Sequence, residues 1–490
     1  MSPPRSPTGS GHHHPKVLTD LSTDAFALCT RLLSFRDVSN LAMSSKSLRL
    51  LAYSDAVWFR LLQERWPNYC MSSGAGGARD EYLSRFTAMR QFKFCDPAIV
   101  HLWAMPVPPT QILLAKNEIW VDQGRHVIKV ECSSDPHFAN HRMFRAHNAR
   151  ITCMRLFPIS ETSFFRSEMQ RDDTILATSS SDRTIRLWWK GSPQRCFKGH
   201  SGPVTVLADT LLGDCDSKFL VSGGEDSTVR LWSVGSGRMH GHPAVTYHGH
   251  EKSISFLSVA RHKASLLVSL AKDSRVRVWD AMASSSSGSS SCVGMASVSG
   301  PPVGMQCYDS LCYIASGMTV TAIDLRTMKS VATISVHSPK TYSFEMLPSK
   351  WLLCTGGEDK AMLWDIRKSQ AKPAPIAELG HTGPVKYLHM DSYKIVTAGP
   401  SDCCVNVWET DTGNLANALD LFNKLSFQNP TEKPVGFSAM AVDGYRLVTS
   451  CGDRGCVSVR DFSNCSIPIS SSSCSKVGSK FWEANHCLDA

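Results

Sequence analysis

The stretch LVSGGEDSTVRLWS, residues 220–233, joins two apolar runs through a short turn of small and acidic residues. Alternating apolar and polar residues indicate β-strands, and the Gly and Asp residues between them indicate a tight turn. Three other stretches are variants of the same phrase: LATSSSDRTIRLWW (176–189), LVSLAKDSRVRVWD (267–280) and LCTGGEDKAMLWD (353–365). A phrase that recurs every few tens of residues predicts a fold built from repeated supersecondary units.

Four residue types keep their places in these repeats, namely His, Ser or Thr, Asp and Trp. The five sets are His147, Thr178, Asp182 and Trp188; His200, Ser222, Asp226 and Trp232; His250, Ser269, Asp273 and Trp279; His337, Thr355, Asp359 and Trp364; and His381, Thr397, Asp402 and Trp408. The pattern resembles the WD-repeat family, whose repeats form the four-stranded blades of a β-propeller. The resemblance implies that each set is a hydrogen-bonded tetrad, because an unpaired buried Asp or His is costly. We therefore interpret the sets as structural and not as hydrolase triads.

The spacing of the histidines indicates degenerate repeats. His250 and His337 are separated by about two units, and LCYIASGMTVTAIDLRT (311–327) between them is predicted to form a repeat with Ile323-Asp324 in the Trp-Asp position. After residue 430, RLVTSCGDRGCVSVRD (446–461) has Thr449 and Asp453 in place, but Arg460 stands where a Trp is expected. These repeats bring the number of units from His147 onward to seven.

An upstream stretch decides between seven and eight blades. ILLAKNEIWVDQGRHVIKVECSSD (112–135) has two strand-like runs without the signature residues. It is either a divergent eighth blade or a set of strands that close the ring by pairing with the C-terminal part. We favour eight blades, with seven as the alternative. We place the propeller at 98–485, with SKFWEA (479–484) as a candidate for its final outer strand.

Residues 16–67 show helical spacing instead of strand patterns. The segment LTDLSTDAFALCTRLLSFRDVSNLAMSSKSLRLLAYSDAVW (18–58) resembles an F-box, although Ser22, Cys29, Ser44 and Leu48 depart from that motif. The resemblance implies that this small all-α module binds a Skp-type adaptor. The candidate adaptor-binding residues, which we expect to lose exposed area in a complex, are Leu21, Ser22, Phe26, Leu33, Val38, Leu41 and Trp58. Residues 1–15 are predicted to be a disordered tail, and 68–97 a linker containing a helix.

Composition excludes several classes of function. The net charge of +9 is spread along the chain without a run of four basic residues, so we expect no nucleic-acid partner. The start of the chain lacks the apolar core of a signal peptide and no apolar stretch is long enough to span a membrane, so we expect no membrane partner and a cytoplasmic or nuclear location. No Cys-x-x-Cys pair, P-loop, His-Glu-x-x-His or Gly-x-Ser-x-Gly motif occurs. We therefore expect a non-catalytic protein with no metal and no cofactor.

An F-box followed by a WD-repeat propeller resembles the substrate receptors of Skp–cullin–F-box ubiquitin ligases. The resemblance implies that the propeller binds a target protein while the adaptor connects the chain to a cullin–RING ligase. Two alternatives stay open. Trp364-Asp365-x-Arg367 is similar to the motif of WD-repeat receptors that use cullin-4-type ligases. The third possibility is a scaffold with no role in ubiquitin transfer.

Phosphodegron receptors of this family line the central face of the propeller with arginines, which pair bidentately with phosphate. We inspected the residue before each tetrad Asp and the fifth residue after each tetrad His. The positions are Ser181, Glu225, Lys272, Glu358, Ser401, Gly452, Thr152, Thr205, Ser255, Tyr342 and Lys386. None is an arginine. We therefore predict an unmodified peptide or folded surface as the target, contacted through Lys272, Tyr342 and Lys386.

Overall fold

The structure is a computed structural model of the 490-residue chain. It describes residues 22–66, 77–103, 107–115, 118–131, 140–162, 164, 173–213, 218–234, 242–281, 292–367, 374–420, 436–452 and 455–463. The chain divides into two compact units, Met1–Ser84 and Arg85–Ala490. The predicted tail, Leu21, Asp453 and the SKFWEA segment lie outside the described residues.

Helices build the first unit, as the sequence predicts. They are α1 (Thr23–Cys29), α2 (Phe35–Ser44), α3 (Lys46–Ala52) and α4 (Asp55–Arg65), and a 3₁₀ turn, Thr30–Leu32, follows α1. Helix α5 (Ala78–Phe94) begins in the first unit and ends in the second. Ser22 caps α1 by accepting a hydrogen bond from the Ala25 amide, which otherwise has no partner at a helix start. Ser34 and Asp37 cap α2 reciprocally, as a capping box.

An aromatic cluster fills the core of the helical unit. The rings of Phe35, Trp58 and Tyr82 lie with centroids 5.4–5.8 Å apart in edge and stacked geometries. The Trp58 indole donates a hydrogen bond to the Ala52 carbonyl at 2.8 Å, so its one polar atom is satisfied although the side chain is buried. This hydrogen bond joins α4 to the last residue of α3.

The second unit consists of eight four-stranded antiparallel sheets, which we number as blades in chain order. The strands of blades 1 to 4 are β2 (Ile112–Ala115), β3 (Glu118–Gln123), β4 (His126–Glu131) and β5 (Asn140–Arg145); β6 (Ile151–Pro158), β7 (Thr174–Ser180), β8 (Thr184–Trp189) and β9 (Ser192–Lys198); β10 (Val204–Leu207), β11 (Phe219–Gly224), β12 (Val229–Ser233) and β13 (Val245–Tyr247); β14 (Ile254–Val259), β15 (Leu266–Ala271), β16 (Arg275–Asp280) and β17 (Cys292–Ser297).

The strands of blades 5 to 8 follow the same order, except in the last blade. They are β18 (Pro302–Tyr308), β19 (Leu311–Ser316), β20 (Thr319–Asp324) and β21 (Ser330–Ser335); β22 (Ser343–Leu347), β23 (Leu352–Gly356), β24 (Lys360–Asp365) and β25 (Ala377–Gly380); β26 (Tyr387–Met390), β27 (Lys394–Ala398), β28 (Cys404–Glu409) and β29 (Leu415–Asp420); β30 (Phe437–Val442), β31 (Arg446–Cys451), β32 (Val457–Asp461) and β1 (Val100–Trp103).

The stretch 112–135 forms strands of an eighth blade, and the alternative, that it pairs with the C-terminal part, is wrong. Residues 112–145 form a complete blade, so the propeller has eight blades, and the preceding strand β1 pairs with β32 to complete the last one. Val100 lies opposite Val459 in this antiparallel pair. Strand β1 therefore takes the outer position that we predicted for SKFWEA, and the last blade combines strands from both ends of the propeller sequence.

Apolar side chains between neighbouring blades form the core. Trp232 of blade 3 packs with Phe157 and Phe197 of blade 2, and Trp279 of blade 4 packs with Tyr247 of blade 3. The first strands of successive blades lie side by side around the ring. Each tryptophan thus joins its own tetrad to the preceding blade, and burial of such a side chain stabilises the fold by about 2–3 kcal/mol.

Candidate functional site

Four tetrads are complete, in blades 2, 3, 4 and 7. In blade 3, His200 Nδ1 lies 2.9 Å from Asp226 Oδ2, His200 Nε2 lies 2.8 Å from Ser222 Oγ, and the Trp232 indole donates to the same Oγ at 2.8 Å. The corresponding contacts of the His147, His250 and His381 sets lie between 2.7 and 3.2 Å. Within each of these four tetrads, the side chains are joined to one another by hydrogen bonds. This is the structural role that the sequence predicts for them.

The tetrad of blade 6 is incomplete, which corrects one prediction. His337 Nε2 lies 3.0 Å from Thr355 Oγ1, and the Trp364 indole donates to that oxygen at 3.0 Å, but Asp359 is exposed and is not among the hydrogen-bond partners of His337. The hairpin is one residue shorter here, because Thr355 pairs with Met362 whereas Ser222 of blade 3 pairs with Arg230. The shorter turn leaves Asp359 at the surface.

Burial and hydrogen bonding set the ionisation of the complete tetrads. Burial lowers the pKa of His147 and of His250, and the facing aspartates only partly oppose it, so both imidazoles are neutral near pH 7. Burial works to raise the pKa of Asp226, but hydrogen bonds from His200 and Thr228 outweigh it and hold that pKa well below its usual range. The aspartate is therefore a hydrogen-bond acceptor and not a proton donor.

The tetrad turns define one face of the propeller, which we call the tetrad face. Each tetrad His precedes the first strand of its blade, and the Asp that it contacts lies in the turn between the second and third strands, so both connections lie on this side. Lys272 and Lys386 are exposed on this face, and Tyr342 is half-buried beneath Lys340 Nζ, 4.6 Å from its ring centroid. The three residues belong to blades 4, 6 and 7, and no contact joins their side chains among those described.

Two positions that we inspected for substrate binding instead join blades. Thr152 donates to the Val204 carbonyl of blade 3 at 2.5 Å, and Thr205 donates to the Ile254 carbonyl of blade 4 at 2.6 Å. Both hydroxyls therefore connect the first strands of neighbouring blades. Their sequence position alone does not distinguish a connecting hydroxyl from one that faces a ligand.

A second set of bonds between first strands escaped the sequence analysis. Gln306 Oε1 accepts from the Met346 amide at 3.1 Å, and Glu345 Oε2 accepts from the Met390 amide at 2.8 Å, one blade further on. Burial raises the pKa of Glu345 to about 8, so its carboxyl is mostly protonated at neutral pH and resembles the glutamine amide of Gln306. Gln306 and Glu345 are each the third residue from the end of their strands, β18 and β22. The sequence therefore does contain a signal for this pair of positions.

The structure corrects part of the expected adaptor surface of the helical unit. Phe26, Val38 and Trp58 are buried among its helices, so in this conformation they have no surface to lose in a complex. Leu33 and Leu41 are half-buried. The exposed apolar side chains are different ones, which the F-box pattern did not single out: Leu28, Leu32, Met43 and Leu50, each at least 70% exposed.

The described residues were also considered as possible membrane spans and metal ligands. None of the described helices is both long and apolar enough to cross a membrane. Within the same residues, no group of three His, Cys, Asp or Glu side chains is placed to bind a metal ion.

Comparison with known proteins identifies the repeats. The WD domain, G-beta repeat family matches residues 139–188, 191–233 and 241–280, which cover most of blades 2, 3 and 4. The nuclear distribution protein nudF of Aspergillus niger is 23% identical over 306 residues, 56% of this chain and 53% of nudF. A guanine nucleotide-binding protein subunit beta from Oryza sativa subsp. japonica is 37% identical over 90 residues, 17% of this chain and 22% of that subunit.

Among solved structures, the computationally designed Ika8 protein matches with a TM-score of 0.55 at 18% identity, over 74% of this chain and 99% of Ika8. This likeness concerns the fold alone. The chain spans about half of the length of nudF, and less of the other curated relatives. The chain is thus an eight-bladed β-propeller with WD40 repeats, preceded by a small helical region. A propeller of this kind is suited to protein–protein interaction.

Proposed function

We propose that the chain is the substrate-recognition subunit of a Skp–cullin–F-box ubiquitin ligase, with residues 16–67 as the F-box and the propeller as the target-binding domain. The observation that carries the proposal is the helical unit, whose α1–α4 follow the F-box pattern ahead of WD40 repeats and leave apolar side chains exposed. The receptor supplies no nucleophile. It raises the effective concentration of target lysines near the ubiquitin thioester. The complex would operate in the cytoplasm, the nucleus or both.

The exposed leucines indicate where the adaptor would bind. Leu28 is 70% exposed and Leu32 is 96% exposed, and they lie four residues apart at the end of α1 and in the 3₁₀ turn. A unit this small has little apolar surface to spare from its own core. Burial of the two side chains against an adaptor would contribute about 1.5–3 kcal/mol each.

Co-purification of the full chain with a Skp-type adaptor, and separately with a cullin-4 adaptor, tests the proposal. We expect capture of the Skp-type adaptor only. Leu28→Glu with Leu32→Glu should reduce that capture at least tenfold, because two buried charges replace two apolar contacts. Leu415→Glu, at an exposed leucine of the outer strand β29, is the matched control and should bind normally. Capture of neither adaptor would favour a scaffold instead.

One observation weakens the cullin-4 alternative. In the Trp-Asp-x-Arg segment, the Arg367 guanidinium forms a bidentate ion pair with Asp365, with distances of 3.1 and 3.0 Å. A partner that used Arg367 would have to break this pair. The scaffold alternative keeps one point of support, since two of the relatives, which match over 306 and 186 residues, are named nuclear distribution proteins.

A further inference from the structure

A cleft of about 410 Å³ opens on the tetrad face at the junction of blades 1 and 2. Its walls come from the connection between β1 and β2, from the β3–β4 turn and from the segment that leads into β6. The lining includes Val107, Pro108, Thr110, Arg125, Ala149 and Arg150. The cleft is therefore mainly apolar, and two arginines flank it.

Backbone hydrogen bonds hold both arginines on a fixed frame. The Arg125 carbonyl accepts from the amides of Ala146 and His147 at 3.0 and 3.1 Å. The Arg150 carbonyl accepts from the Ser181 amide at 3.0 Å and from the Ser180 hydroxyl at 2.8 Å. Because the main chain is fixed on both sides, ligand binding by these two residues would cost little backbone entropy.

The side chains of Arg125 and Arg150 are exposed, and among the described residues neither forms an ion pair with a carboxylate. The carboxylates close to the cleft are already engaged. Asp122 accepts from the amide and hydroxyl of Thr110, and Asp182 accepts from His147 and the Asn148 amide. What distinguishes the cleft is therefore not its net charge but two arginines that have no direct ion-pair partner among the described residues.

The main-chain amides around the cleft are also engaged, which bears on the kind of anion it binds. The Thr110 and Gln111 amides donate to Asp122, and the Ile151 amide donates to the Gly124 carbonyl at 2.7 Å. A bound phosphate usually receives several main-chain N–H donors. Guanidinium groups pair bidentately with phosphate as well as with carboxylate, so the two arginines alone do not decide between them. The remaining wall is apolar, which suits the methylenes of a glutamate side chain and so favours the carboxylate.

We propose that this cleft binds an acidic, unphosphorylated segment of the target protein, with a glutamate carboxylate between Arg125 and Arg150 and an adjacent apolar residue against Val107, Pro108 and Ala149. The two family positions inspected in the sequence do not include these arginines. The proposal deepens the proposed function by naming the class of substrate. It rests on that function only in treating the propeller as the domain that binds the target.

Fluorescence anisotropy with the full chain and three labelled nine-residue peptides tests the proposal. The peptides share one leucine-containing frame and carry glutamate, glutamine or phosphoserine at alternate positions. We expect the glutamate peptide to bind at least tenfold more tightly than the glutamine peptide, and at least as tightly as the phosphoserine peptide. Arg125→Gln with Arg150→Gln should abolish this preference.

Arg183→Gln with Lys252→Gln is the matched control, because it removes the same charge from exposed positions of the tetrad face outside the cleft lining. It should keep at least half of the affinity. Equal binding of the glutamate and glutamine peptides, binding of the phosphoserine peptide alone, or an undiminished preference in the Arg125/Arg150 variant would overturn the proposal. No adaptor is present in the assay, so failure of adaptor capture and failure of peptide binding are separate results.

Discussion

Arg460 Nε lies 2.9 Å from Asp96 Oδ1, and so joins the last strand of the propeller to the segment that leads into its first strand. Arg460 is buried and stands where other repeats have the tetrad tryptophan, and its guanidinium also donates to the Asp420 carbonyl of blade 7. The sequence showed this position only as a missing tryptophan. The structure shows an ionic contact at the closure of the ring.

Replacement of Arg460 by Met should lower the melting temperature, because it keeps most of the volume but leaves Asp96 without its ion pair. Asp96 is 42% exposed, so we expect a loss of about 1–2 kcal/mol in the free energy of unfolding. Arg326→Met is the control, since Arg326 pairs with Asp324 at the surface and should contribute less than about 1 kcal/mol. Equal effects of the two variants would argue against the closure role.

Asp226 belongs to the tetrad of blade 3, whereas Asp359 lies outside the tetrad of blade 6, so substitutions of the two should differ in effect. Asp226→Asn should destabilise the fold by about 2–4 kcal/mol, because it weakens hydrogen bonds with His200 and Thr228 inside a connected network. Asp359→Asn should be almost neutral, because Asp359 is exposed and lies outside the tetrad of its blade. Denaturant unfolding of both variants measures the difference. A similar loss in each would refute the assignment of Asp359 to the surface.

Glu345 should make the propeller less stable as the pH rises from 4.5 to about 8. Its pKa rises from 4.5 to about 8 in the fold, so the folded state binds the proton more tightly, and stability is lost as the pH rises through this interval. Glu345→Gln should therefore raise the melting temperature at pH 8 more than at pH 5, with a gain of about 1–3 kcal/mol at pH 8. Gln306→Glu, at the corresponding place in β18, should have the opposite effect. Identical shifts at both pH values would contradict this reasoning.

Acid should lower the stability of the propeller by protonating side chains of the tetrads. The pKa of His250 is lowered from 6.5 by burial, so the unfolded chain binds that proton more tightly and stability decreases as the pH falls below about 6.5. The lowered pKa of Asp273 adds a further loss below about 3.8. Thermal unfolding of Glu345→Gln with His389→Gln between pH 7.5 and 4 measures the effect, because it removes the opposing contribution of Glu345 and that of His389, whose pKa burial lowers to about 4. Constant stability across this range would be the contrary result.

The sequence predicts the repeats well because a tetrad needs the same residue types at the same spacing in each blade. It fails where spacing changes by a single residue, as at Asp359, since the residue type survives but the turn that positions it does not. It also fails for Phe26 and Val38, because helical periodicity identifies an apolar face without showing whether that face is covered by the same unit or by a partner.

Positions with no repeated signature were the least predictable. Blade 1 has no complete tetrad among the residues that the structure describes, and β1 is a short strand whose partner β32 lies at the other end of the propeller sequence. Arg125 and Arg150 come from different blades and meet only in the folded ring. Contacts between residues that are distant in sequence and do not recur leave no local pattern.

The pairing of β1 with β32 also has a consequence for biosynthesis. Val100 leaves the ribosome long before its partner Val459. At about 5–20 residues per second, roughly 20–70 seconds of translation separate the two strands. During this interval β1 has no partner and the first blade lacks its neighbour in blade 8, so exposed edges are open to wrong pairing with nascent chains nearby. The closing pair of strands can therefore form only after nearly the whole propeller has been translated.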